Sequence, residues 1–261
     1  MGDLSVAGAG AAAADGTEIQ EIENDEGFTY TGQMRGNKRH GRGVLAWPDG
    51  TEYDGEFWDG KRHGKGLIKW AGGKSYDGEW AQGQREGWGK SVGADGTVEY
   101  DGQFVAGKRH GRGTSTAKDG ATYEGDWAAG GRQGYGSYRK PDGSQYDGQW
   151  VEGKMSGMGR YVWPDGQQYE GDWSDSRRHG YGRLVYANRT TIDGDWTDGK
   201  LNGKGRLMDP KGLHQFDATY VDGEMQGAAR YTRTEKRADG VVVSSVQTEI
   251  GGKMGGSRPQ H

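Results

Sequence analysis

The chain has 261 residues, among them 53 Gly, 10 Trp, 14 Tyr and 5 Pro but no Cys, and a formal net charge of −4. Its hydrophobic share is 31%, well under the usual ~45–50%, which excludes a thick aliphatic core, while the aromatic content argues against plain disorder. The missing Cys removes disulfides, thiolate zinc sites and cysteine nucleophiles, and no apolar run nears the ~18 residues of a membrane-spanning helix.

Residues 1–27 contain Asp3, Asp15, Glu18, Glu21, Glu23, Asp25 and Glu26 and no Lys or Arg, so this arm carries −7 and the remainder +3. With its Ala/Gly tract at 7–14 it reads as a disordered acidic tail. No basic residue precedes Arg35, so neither a secretory signal nor a transit peptide is expected. A body at +3 also lacks the strong basic stripe of a nucleic-acid binder.

Residues 28–229 are a repeat array. Frames start at Tyr30, Tyr53, Tyr76, Tyr100, Tyr123, Tyr146, Tyr169 and Ile192, with a worn ninth at Phe216, in steps of 23 or 24 residues. Counting each frame from its first residue, position 5 is always large: Met34, Phe57, Trp80, Phe104, Trp127, Trp150, Trp173, Trp196 and Tyr220. Positions 12 and 14 are Gly in the first eight frames, and most frames close on Asp-Gly.

Within a frame, Tyr, Gly and Trp at 1, 3 and 5 alternate with polar residues, which is the period of a strand. Gly-x-Gly-x-large-x-large keeps that period from position 12, as in Gly157, Gly159, Tyr161 and Trp163. Between them Gly60-Lys61-Arg62-His63 and its equivalents are expected to turn, so each frame is a β-hairpin. The expected register sets position 5 against 14, 3 against 16 and 1 against 18. Trp then lies over Gly, and Gly159→Val is expected to strike Trp150.

A lone hairpin is unstable in water, so the frames must stack. The predicted fold is all-β: an elongated single-layer antiparallel ribbon of about nine hairpins, with one aromatic, Gly-studded face and one charged face. In the tail at 230–261, Val241-Val242-Val243-Ser244-Ser245-Val246 reads three ways. It is a capping strand over 241–246, an edge that pairs with another copy, or a free tail.

The frame Tyr-x-Gly-x-Trp-x-x-Gly-x-x-x-Gly-x-Gly-x-x-x-x-x-Asp-Gly resembles the MORN (membrane occupation and recognition nexus) repeat over about 30–229. Similar arrays occur in lipid kinases, junctional membrane proteins, a lysine methyltransferase, cytoskeletal scaffolds and ciliary proteins. The enzymes among these append a catalytic domain, and 230–261 is too short for one, so the resemblance implies a non-enzyme. The turns, and the stretch Tyr146-Asp-Gly-Gln-Trp150-Val-Glu-Gly-Lys-Met155-Ser-Gly157, are similar to radial-spoke-head proteins of motile axonemes.

No catalytic, cofactor or metal residue is assigned. The Gly-x-Gly pairs recur inside strands, unlike a dinucleotide loop. His40, His63, His110 and His179 share position 11, but equivalent positions are two strands, roughly 10 Å, apart, too far for one zinc ion. Acids at positions 2 and 4 read as a solvated stripe. Two features point to a partner. Positions 16 and 18, large in frames one, two, six and seven, shrink to Ser91/Gly93 and Ser115/Ala117 in frames three and four, beside Tyr76, Trp80, Tyr100 and Phe104. That leaves a hinge, ordinary repeat decay, or a groove for a partner's side chains. The basic turns Lys61-Arg62-His63 and Lys108-Arg109-His110 form a cationic edge.

The expected function is a structural scaffold binding other proteins of a large assembly, with a second copy or a MORN paralogue among them. The resemblance implies a cytoplasmic, cytoskeletal site in a cilium or flagellum axoneme. The alternative is a peripheral membrane adaptor that binds acidic phospholipids through the basic turns.

Overall fold

The computed structural model describes residues 5–9, 18–24, 26–236 and 242–249. The expectations for 1–4, 10–17, 25, 237–241 and 250–261 fall outside these. The chain forms two compact units, Met1–Gly131 and Arg132–His261. In the first, strands β1 (Ser5–Ala9), β2 (Glu18–Glu23), β3 (Thr29–Arg35), β4 (Lys38–Ala46), β5 (Glu52–Trp58) and β6 (Lys61–Lys69) are followed by β7 (Ser75–Ala81), β8 (Gln84–Val92), β9 (Val98–Val105), β10 (Lys108–Thr116) and β11 (Thr122–Ala128). Each pairs antiparallel with its neighbours in chain order.

The second unit repeats that order. Its strands are β12 (Gly131–Arg139), β13 (Gln145–Val151), β14 (Lys154–Val162), β15 (Gln168–Ser174), β16 (Arg177–Val185), β17 (Thr191–Thr197), β18 (Lys200–Met208), β19 (His214–Val221), β20 (Glu224–Lys236) and β21 (Val242–Glu249). They too pair in sequence. There is no helix among the described residues. The fold is all-β, built of the expected stacked hairpins.

The register differs from the expected one by two residues. In frame six Tyr146 faces Tyr161, Gly148 faces Gly159 and Trp150 faces Met155, so 1 meets 16, 3 meets 14 and 5 meets 10. The cause is a shorter turn. Glu152 and Gly153 both have positive φ, 49° and 81°, the geometry of a two-residue hairpin turn. Lys61, Arg62 and His63 are therefore the first residues of strand β6 and lie outside the turn. The remaining offset is absorbed by a bulge at position 12, where Gly157 has φ 56°. Its capping group is the side chain at position 4: Gln33 and Gln103 accept the position-13 N–H at 2.7 and 3.0 Å, and Glu56 does so at 3.1 Å. Position 4 is thus a bulge clamp, whereas a solvated stripe was expected.

Glycine at 3 and 14 serves the tyrosine. Tyr146 lies across both strands of its hairpin, and its hydroxyl donates to the Gln149 carbonyl at 3.0 Å. A Cβ on Gly148 would stand 2.6 Å from that hydroxyl, and one on Gly159 would enter the ring. The expected clash of Gly159→Val is therefore with Tyr146, and Trp150 is not the ring involved. Trp150 instead faces Gly134 of the preceding frame and donates its indole N–H to Gly136 O at 3.1 Å. Trp80, Trp127, Trp173 and Trp196 make the same bond at 2.9–3.1 Å.

In both units, position-1 and position-5 rings alternate in edge-to-face contact. Centroids lie 5.0–5.5 Å apart and planes cross at 83–90°. Frame eight keeps the packing by a paired change. Ile192 replaces the tyrosine and Leu201 replaces the usual position-10 Arg; the Leu201 side chain then covers Gly194 and Gly205. In frame nine Ala218 and Ala229 stand where the glycines were, and Phe216 is pushed out to 36% exposure, against Tyr231.

The acidic arm needs correction where it is described. Residues 5–9 and 18–23, expected to be disordered, are β1 and β2. Glu18-Ile19-Gln20-Glu21-Ile22-Glu23 alternates and pairs with β3, burying Ile22 and satisfying an edge that would otherwise be open. At the other end Val242–Glu249 pairs with β20 along its whole length.

Candidate docking trough

Position 10 supplies an Arg in six of the first seven frames, and it ties each to the next. The Arg62 guanidinium lies 4.3 Å from the Trp80 ring centre and donates to Gly83 O at 3.0 Å. Arg39, Arg85, Arg132 and Arg178 repeat the arrangement on Gly60, Gly107, Gly153 and Gly199. Burial holds the Arg39, Arg62, Arg109 and Arg178 guanidinium groups below their ordinary values, each offset by the tyrosine beside it. Half of the expected cationic edge is thus committed to the core, a bond that sequence spacing alone did not reveal. Position 9 is committed as well in several frames: Lys38 pairs with Asp59 at 2.5 Å, Lys154 with Asp175 at 2.7 Å and Arg177 with Asp198 at 3.1 Å. Lys61 reaches Gln82 at 3.0 Å.

The position-11 histidines pack or face solvent. His40 lies 4.5 Å from the Trp58 ring and His63 lies 6.4 Å from it, while His110 is exposed. The His110 carbonyl accepts from Tyr100 at 3.4 Å. Tyr76, Trp80, Tyr100 and Phe104, expected to flank an open groove, are 0–4% exposed. They belong to the ring zipper that runs unchanged through frames three and four. What opens there is the layer above them.

Where Ser91 and Ser115 replace the large residue at position 16, a trough crosses the aromatic face of the first unit. A cavity of ≈410 Å³ is lined by Trp70, Lys74, Ser91, Glu99, Phe104 and Lys108. It shares Lys74, Glu99 and Arg109 with one of ≈440 Å³ that reaches Ser115, Ala117 and Lys118. It shares Trp70, Arg85 and Gly107 with a third, ≈280 Å³, that reaches Arg62 and Trp80. The three lie side by side and share walls, and together they form the trough. Trp70, 38% exposed, is its apolar wall. Lys74 bridges to Glu99 at 3.6 Å, and Asp95 is held below the usual carboxylate range by the Thr97 N–H.

Of the expected partner residues, Phe104, Lys108, Arg109, Arg62 and Trp80 line this trough. Lys61, His63, His110, Tyr76 and Tyr100 are not among its lining residues. Trp70, Lys74, Arg85, Glu99 and Lys118 were missed. Trp70 alone had left a signal, as a large position-18 residue bordering the thinned frames.

Eight segments match the MORN repeat family: residues 30–52, 53–75, 76–98, 100–122, 123–145, 146–168, 169–191 and 193–214. No curated protein matches the chain. The ninth frame lies outside the matched segments, in line with its alanines and displaced Phe216.

Proposed function

The chain belongs to the MORN repeat family, and from that premise we propose that it is a non-enzymatic scaffold that holds a segment of another protein in the trough of frames two to four. One observation carries this reading. The trough is opened by losing only position-16 and position-18 side chains, while the ring zipper beneath stays buried. An empty layer over an intact core is a preformed concave site, the kind that takes up a partner's side chains.

The assembly we propose is cytoskeletal, in the axoneme of a cilium or flagellum. Its support is the likeness of the Lys/Arg-Arg-His-Gly runs and of residues 146–157 to radial-spoke-head proteins. A membrane role draws less support, because most of the cations that suggested it are stacked on rings or paired with carboxylates, as Arg62, Arg178, Lys38 and Arg177 are.

A photo-crosslinking residue at Ser91 tests the docking reading. It should trap a partner chain that the same residue at Lys65, on the opposite face, does not. Equal trapping at both positions overturns the trough. A tagged copy in a ciliated cell should mark the axoneme, and diffuse staining removes the ciliary reading. Sedimentation with anionic liposomes at about 150 mM salt should leave the chain in solution.

A further inference from the structure

The trough's charge names the chemistry of its occupant, an inference that rests on the docking reading above. Its walls hold Arg62, Lys74, Arg85, Lys108, Arg109 and Lys118 against two carboxylates, Asp95 and Glu99. The three arginines are spent on rings and carbonyls, and Lys74 shares Glu99. Lys108 is different. It stands at position 9, whose equivalents Lys38, Lys154 and Arg177 reach an Asp at position 7 of the following frame. The residue there for Lys108 is Ala129, so its ammonium has lost the carboxylate its equivalents use.

The same substitution recurs one frame earlier, where Gln84 and Ala106 stand in place of an ion pair. Position 9 of both frames where the aromatic layer is missing thus faces an alanine where other frames offer a carboxylate. An exposed cation on the rim, beside an apolar wall of Trp70 and Phe104, is complementary to a ligand that carries both features.

We propose that the trough binds an acidic, apolar peptide segment of a partner protein. An apolar side chain lies between Trp70 and Phe104, and a partner carboxylate takes the place of the missing Asp opposite Lys108. Lys118 and Lys74 extend the attraction along the trough. Specificity against basic segments follows from the same charges.

Fluorescence anisotropy of the full chain with labelled twelve-residue peptides tests this. One peptide alternates Leu with Glu, a second Leu with Lys, a third Leu with Ser. The Glu peptide should bind tightest and weaken as salt rises. Lys108→Glu should weaken it about tenfold, while Lys154→Glu, at the equivalent position in the second unit, should not. Circular dichroism should show both variants folded, because both lysines are exposed. Failure of the Glu peptide to bind, or equal binding of the Glu and Lys peptides, overturns the proposal. A combined Ser91→Trp and Ser115→Trp chain should release every peptide. If it does so but Lys108→Glu has no effect, the charge inference alone is wrong. If peptides stay bound to the filled trough, the docking reading itself fails.

Discussion

Frames three and four and frames six and seven have the same backbone plan but different upper layers. In both, tyrosines lie over paired glycines, and Phe104 or Trp173 meets them edge to face. In frames six and seven the layer is filled: Tyr161 packs on Trp163 at 4.7 Å and on Trp173 at 6.0 Å, and Leu184 is buried. In frames three and four it is Ser91, Gly93, Ser115 and Ala117. The difference teaches that positions 1, 3, 5, 12 and 14 hold the sheet, whereas 16 and 18 are free to be traded for a site.

If that is right, the zipper should respond alike in both regions. The largest effect should come from alkali. Burial raises the tyrosine hydroxyls, to about 12 for Tyr100 and in the same direction for Tyr76, Tyr146 and Tyr169. A raised folded value means stability that is complete below the ordinary 10 and lost as pH climbs from about 10 towards 12. The tyrosinate absorbance of these four rings should appear only as strand circular dichroism collapses, and early titration of Tyr76 and Tyr100 alone would break the equivalence.

Next come the rings themselves. Trp80→Ala and Trp150→Ala should each cost about 3–5 kcal/mol in urea unfolding. A much smaller cost for Trp80 would mean the open region does not share the core. The upper layer should show the opposite pattern. Leu184→Ala should cost about 2–5 kcal/mol, whereas Ser91→Ala should stay within about 0.5 kcal/mol. Equal losses at these two sites would contradict an empty layer.

The smallest effect concerns a turn. Arg189 holds φ 68° at the position where Gly96 holds 81°. Arg189→Gly should raise stability by about 1 kcal/mol by removing left-handed strain, read as a small rise in Tm.

The period, the strand positions and the thinning at Ser91 and Ser115 were all legible from spacing. The register was not, because Gly60-Lys61-Arg62-His63 has the composition of a turn. Only the positive φ at position 7, carried by Asp59, Gln82 and Ala106 at 48–51°, moves the turn two residues earlier. Nor did sequence distinguish the two glycines of Gly-x-Gly: one sets a bulge, the other lies under a ring. The burial of Tyr76 and Tyr100 was hidden for a related reason. Arg109, which covers Tyr100, has the sequence context of an exposed cationic edge, and Arg85, which covers Tyr76, stands in Gln84-Arg85-Glu86 without a basic neighbour to mark it.

The ties between frames have a consequence for how such a chain changes length. Arg39 to Gly60, Arg62 to Gly83, Lys38 to Asp59 and Lys61 to Gln82 all span 21 residues. A gene that gains or loses one whole frame by unequal recombination leaves each such reach with a partner at its far end. A gain or loss that is not a whole number of frames does not. Ile192 and Leu201 add a linkage of their own, since either one moved into an ordinary frame leaves glycines uncovered or a tyrosine without its Arg. Inheritance of this architecture is therefore quantised in complete frames, and the eighth can be copied only as a block.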